Sequence, residues 1–179
     1  MEAGLKITVV DPDDDYLGIE IRAWNDRFAG TTRIFAGLED LSELAAQIAG
    51  FPARIPDERT FQFGTRDPHY AGGYCGLCFR TVDSVGHAVV EIDVQDDDQL
   101  YSPGISKFSI PVEAAAVDRF VIGLRTVQAA RSGETGLVFR QGRFFGWHNS
   151  LSCVLRDASP HNSESCATNI KKVDPEVRC

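Results

Sequence analysis

Cys75-Gly-Leu-Cys78 is the pair whose types and spacing come closest to doing chemistry. Two thiols so spaced can cycle between dithiol and disulfide, or supply half of a zinc site. A redox pair needs a strand that runs into a helix N-terminus, where a thiol loses its proton readily. Here Tyr74 and Phe79-Arg80-Thr81-Val82 carry the segment on as a strand. Alternation then turns Cys75 inward with Leu77 and Phe79, and Cys78 outward with Arg80. Zinc needs a second close pair, which Cys153, Cys166 and Cys179 do not form. The expectation is a core cysteine beside an unrelated surface one, with no metal and no cofactor.

Asp11, Asp13 and Asp15 have the spacing that opens a calcium loop. That loop needs Gly at its sixth position and a bidentate Glu at its twelfth, where this chain has Tyr16 and Arg22. A solvated turn is the better reading. His69, His87, His148 and His161 are scattered, and there is no nucleophile elbow, His-Glu-x-x-His run or phosphate loop. The chain therefore reads as a non-enzyme. The alternatives are a small hydrolase or transferase with a site in the loops around Asp67, His69 and His87, and a structural module that dimerises through a sheet edge.

The elements that would position these residues are mostly strands. Leu5, Ile7 and Val9 alternate with polar neighbours, and so do Leu17, Ile19, Ile21 and Ala23 up to Trp24. Asn25-Asp26-Arg27 suits a hairpin turn into a third strand, Phe28 to Ala36. From Gly37 to Gly50 the period becomes helical, with Leu38, Leu41, Leu44, Ala45 and Ile48 on one face and acids crowding the first turns. Short strands follow at Phe61–Phe63, Tyr74–Val82, His87–Val94 and Ile105–Ile110, the middle two joined across Asp83-Ser-Val-Gly86, and Asp96-Asp97-Asp98 ends that hairpin. Val117, Phe120, Val121, Leu124 and Val127 mark a second amphipathic helix. Arg131 to Gly136 reads as a linker, and Leu137 to Phe145 has the makings of one more strand. The expected fold is an α/β (α+β) two-layer sandwich: one antiparallel sheet with both helices on one face, in the order β-β-β-α-β-β-β-β-α. The expected domain covers residues 1–130, with a poorly packed extension from 131 to 179.

The open face of such a sheet would display Glu20, Arg22, Trp24, Arg33, Phe35, Arg80, Glu91, Asp93 and Lys107. Trp24 and Phe35 among charges have the composition of partner-binding anchors.

The chain has 179 residues and a net charge of −8. Residues 1–125 carry 11 Lys/Arg against 21 Asp/Glu, a balance of −10, while the remainder balances at +2. An acidic body repels phosphate backbones and attracts basic proteins, so nucleic acid is an unsuitable partner. No stretch is apolar enough for a membrane span, and Met1 to Val10 lacks the pattern of a leader. With an odd cysteine count and no disulfide framework, the expected location is cytoplasmic.

Leu17-Gly-Ile-Glu-Ile-Arg-Ala-Trp24, Phe28-Ala-Gly30, Leu38-Glu-Asp-Leu-Ser-Glu-Leu44 and Gly86-His-Ala-Val-Val-Glu-Ile92 together resemble a family of small uncharacterised bacterial proteins. That family is similar to the immunity proteins that protect bacteria from polymorphic toxins of the wall-associated type. The resemblance spans roughly residues 5 to 127, implies an antiparallel sheet with helices on one side and no known active site, and carries over no functional residues. With the acidic charge it implies a non-enzymatic binding protein, an immunity protein whose partner is a basic toxin.

Overall fold

Alternation along the first three strands turns one apolar row toward a common interior. In the computed structural model, which describes residues 2–67, 69–70, 72–96 and 104–140, these strands are β1 (Glu2–Pro12), β2 (Leu17–Trp24) and β3 (Ala29–Ala36). They pair as an antiparallel meander. Leu5, Ile7, Leu17, Ile19, Ile21 and Ala23 are completely buried. Each fully buried Leu or Ile contributes about 1.5–3 kcal/mol over an exposed one. The β2–β3 turn is held by Asn25, whose Oδ1 accepts the Arg27 and Phe28 amides at 2.9 and 2.8 Å.

Helix α1 (Asp40–Ile48) buries Leu41, Leu44, Ala45 and Ile48, the spacing that predicts it. Asp40 Oδ2 accepts the Gly37 amide at 2.8 Å just ahead of the first turn. The chain then forms β4 (Glu58–Gly64), β5 (Tyr74–Thr81), β6 (Ala88–Gln95) and β7 (Ile105–Val112). Helix α2 (Ala114–Ala130) buries Val117, Phe120, Val121, Leu124 and Val127. It ends at Arg131, whose left-handed backbone lets its amide reach the Gln128 carbonyl at 3.2 Å.

Three expectations need correction. The strands form two four-stranded antiparallel sheets, not one, in the orders β3-β2-β1-β8 and β4-β5-β6-β7. The helices do not lie together on one face of one sheet: α1 packs beside β4 of the second sheet, α2 beside β8 of the first, and the two helices touch each other. Gln128 Nε2, on α2, donates to the Leu38 carbonyl just ahead of α1. The stretch after α2 is also no linker, because Gly133–Arg140 forms β8 and pairs with β1 from Glu2↔Arg140 to Val9↔Gly133. Thr135 and Gly136 of this strand mark close packing. A Cβ added at Gly123 of α2 would lie 2.0 Å from Thr135 Oγ1, so helix and strand approach only because that position is bare. The domain therefore runs past residue 130, with Leu137 in the core. The expected extension beyond Arg140, with Cys153, Cys166, Cys179, His148 and His161, lies outside the described residues, as do Asp97 and Asp98.

The sheets meet at a seam along β3. Its inward side lies across the strand ends of the second sheet: Thr32 Oγ1 donates to the Gln95 carbonyl at 2.8 Å, and the Gly73 amide to the Arg33 carbonyl at 2.8 Å. Ser106 Oγ, at the start of β7, donates to the Ala29 carbonyl at 3.2 Å. Phe28 and Phe108 stack across the same corner at 6.3 Å. Buried residues of both sheets and both helices join in one apolar core, and the outer face of each sheet remains open. Among the described residues no helix is long and apolar enough to cross a membrane.

Candidate functional site

β5 presents its cysteines as alternation predicts. Cys75 is buried opposite Phe63 and Val94, and Cys78 is half-buried on the outer face opposite Thr60 and Glu91. Burial pushes the Cys75 thiol up to about 12, and burial followed by Glu58 and Glu91 raises Cys78. Both thiols hold their protons at neutral pH, and they project to opposite sides of the sheet. The Asp11–Asp15 stretch is a turn in which Asp13 accepts the Asp15 amide and Asp11 accepts the Tyr16 hydroxyl. Asp11 is also the main cause of the raised Tyr16 pKa.

The residues of the loop-borne alternative are not brought together. Asp67 and His69 lie before β5 and bond each other at 2.7 Å, while His87 follows β5 and bonds Asp83. The seven residue steps from Tyr74 to Thr81 separate the two pairs by about 23 Å. Each pair is a turn device. Asp83 Oδ1 also accepts the Val85 and His87 amides, and its pKa falls mainly because the His87 ring hydrogen-bonds it. Asp67 falls because of the His69 amide and then the His69 ring.

The expected partner-binding set divides between the two sheets, correcting the single face. Glu20, Arg22, Trp24, Arg33 and Phe35 lie on the outer face of the first sheet; Arg80, Glu91, Asp93 and Lys107 lie on that of the second. On the first face Arg33 meets Glu20 directly across β2–β3 at 3.4 Å. The Arg22 guanidinium lies 5.9 Å from the centre of the Trp24 ring. Trp24 itself lies over Gly4, its cross-strand partner on β1, and a Cβ there would fall 2.6 Å from the ring. Phe35 is 53% exposed with its ring edge against Tyr16 at 5.1 Å. Trp24 faces Ala29, six steps from Phe35 along β3, so the two aromatics stand about 20 Å apart and form no common patch.

The second face is concave. A groove of about 550 Å³ crosses it, reaching from Asp40 and Glu43 on α1 past β4 to Lys107 on β7. Tyr74 leans over its floor at Gly76, and Glu91 and Asp93 line it on β6. Arg80 binds Glu91 at 2.5 Å, and Asp93 Oδ2 takes Arg66 at 2.6 Å and Lys107 at 3.7 Å. Arg66 also stacks on Tyr74, 4.4 Å from the ring centre. Asp93 Oδ1 is buried with no hydrogen-bond partner among the described residues. Sequence reasoning missed Asp40, Glu43, Tyr74 and Arg66 here. The two acids read as ordinary first-turn residues of a helix, and only the folded chain brings that turn to the second sheet.

A second missed feature is a clamp between β4 and the end of α1. Asp57 and Arg59 form a two-pronged ion pair at 2.8 and 3.2 Å, with Asp57 buried. Arg59 Nη1 donates to the Gln47 and Ala49 carbonyls at 3.1 and 2.7 Å, and its guanidinium lies over Phe51. It thus covers the open carbonyls at the end of α1, where a cation also suits the helix dipole. Arg59 is the main cause of the lowered Asp57 pKa. Among the described residues no cluster of three or more His, Cys, Asp or Glu could hold a metal ion. In comparisons with protein-family models, curated proteins and solved structures, the chain matches none.

Proposed function

We propose that this protein works by binding another protein, a basic one, and not by chemistry on a small substrate. The observation that carries this reading is the open, concave outer face of the second sheet, with more carboxylates than cations along its groove. The titratable pairs that would serve a hydrolase sit at opposite ends of the same sheet and are spent on turns. A net charge of −8 supports capture of a basic partner, because complementary charge speeds encounter and penalises acidic competitors. Following the family resemblance, the partner is a toxin and the protein an immunity protein that neutralises it inside the producing cell.

The test is co-expression with the product of the adjacent reading frame. This protein should restore growth to cells making that product, and the purified chains should form a complex that weakens as salt rises. Failure of both rescue and complex formation overturns the reading.

A further inference from the structure

We propose that the groove on the second sheet seats an extended, arginine- or lysine-bearing segment of a protein partner. The inference rests on the binding reading above and names its surface.

Size comes first. From β4 to β7 the groove crosses three inter-strand spacings of about 4.8 Å, roughly 14 Å in all, which four residues of extended chain would span. Its volume of about 550 Å³ is typical of ligand sites.

Charge and acceptor capacity come next. The lining holds Asp40, Glu43, Glu91 and Asp93 against Lys107 alone. Arg80 answers Glu91, and Arg66 with Lys107 answers one oxygen of Asp93. Asp93 Oδ1, buried behind the groove surface, has no donor among the described residues, and the Glu43 carboxylate is exposed at the rim. A guanidinium brings five N–H donors in a planar fork and is the side chain best matched to carboxylate acceptors.

The chain's own Arg66 shows how such a group is held in this corner. Its guanidinium lies over the Tyr74 ring and reaches Asp93 at the same time. Phe61, half-buried in the lining, offers apolar surface to the stem of a second basic side chain. A phosphate backbone would meet the same carboxylates as repulsion.

The probe is a fluorescein-labelled octapeptide of alternating Arg and Ser with capped ends, titrated into the full chain by anisotropy, with amide shifts read by NMR. Binding should weaken at least about tenfold from roughly 50 to 300 mM salt. Shifts should centre on Gly76 and Gln62. Glu43→Lys should weaken binding about tenfold further, with only a small fall in melting temperature from the reversed charge in the first turn of α1.

Absence of binding, shifts confined to Glu20 and Phe35 on the first sheet, or full affinity in the Glu43→Lys protein would each overturn the proposal. Spermine binding as tightly as the peptide would also overturn it, by making the groove a small-cation site. The two proposals fail separately. A genetic partner that binds wild type and Glu43→Lys equally removes the groove and leaves the binding reading. Peptide binding without any such partner does the reverse.

Discussion

The outer faces of the two sheets meet solvent on different terms. On the first, charges answer each other across neighbouring strands: Lys6 with Glu134, Glu2 with Arg140, Arg33 with Glu20. Its largest aromatic, Trp24, covers the bare backbone of Gly4. On the second, a loop arginine and a strand lysine share one oxygen of Asp93, the other oxygen has no donor among the described residues, and Glu43 adds charge from a helix. The first face completes itself within the chain. The second leaves acceptor capacity over. Exposed charge on a sheet is therefore a poor guide to binding unless each charge is followed to its partner.

The first face owes its pairing to β8, which supplies Glu134 and Arg140. Leu137→Asp places a carboxylate among fully buried side chains and should cost about 4 kcal/mol or more. Urea denaturation would measure it. A midpoint like that of wild type would mean β8 is not integral and the first face is not self-completing. The second face depends on the Asp57–Arg59 clamp that ties β4 to α1. Arg59→Ala leaves the Asp57 carboxylate buried without its cation and should cost about 3 kcal/mol. Hydrogen exchange should quicken in α1 and β4 before β1 and β2.

The same clamp has a pH signature. Asp57 has a lowered pKa in the fold, so its contribution is present above the carboxyl's ordinary value and is lost as pH falls through the folded one. Wild type should lose this increment in acid, and Arg59→Ala should have a flatter acid limb.

Strand phase was legible because period two is a local property. Cys75 inward and Cys78 outward, and Ala23 inward beside Trp24 outward, follow from alternation alone. Both helices were legible from their apolar spacing. The division into two sheets was not, since nothing local distinguishes a β3 that ends a sheet from one that continues it. What distinguishes it is the seam of Thr32 on Gln95 and Gly73 on Arg33, between residues far apart in sequence. β8 was hidden because Gly133, Thr135 and Gly136, read alone, have a linker's composition; Gly133 takes a positive φ, Gly136 lies close against the β1 backbone at Leu5, and Thr135 meets bare Gly123 of α2. The groove was hidden for the same reason as the seam, being assembled from a helix start, a loop and four strands.

Trp24 against Phe35 sharpens the contrast within the first face. Trp24 covers Gly4 and contacts Arg22, so Trp24→Ala should cost folding about 1–2 kcal/mol. Phe35, more than half exposed with one edge against Tyr16, should cost about 0.5 kcal/mol when replaced by Ala. Thermal melts of the two variants decide this. Equal losses would show that Trp24 is not the residue completing the face.

The finest comparison sets one ion pair from each face against the other. Arg33 is 76% exposed and meets Glu20 at 3.4 Å through one nitrogen. A pair so hydrated should have a coupling energy of about 0.2 kcal/mol, because water and salt screen it and two flexible side chains must be ordered to form it. Arg80 and Glu91 are 39% and 33% exposed, and Nε and Nη2 both reach Glu91 Oε1, at 2.6 and 2.5 Å. Less water and two convergent donors should raise their coupling to about 1 kcal/mol, the upper end for pairs at a surface. Double-mutant cycles through Ala at each pair, run at low and high salt, would measure both. The first coupling should vanish at high salt and the second should persist in part. If the two couplings are equal, the faces do not differ in how firmly their charges are held, and what separates them is the unfilled acceptor capacity of the groove alone.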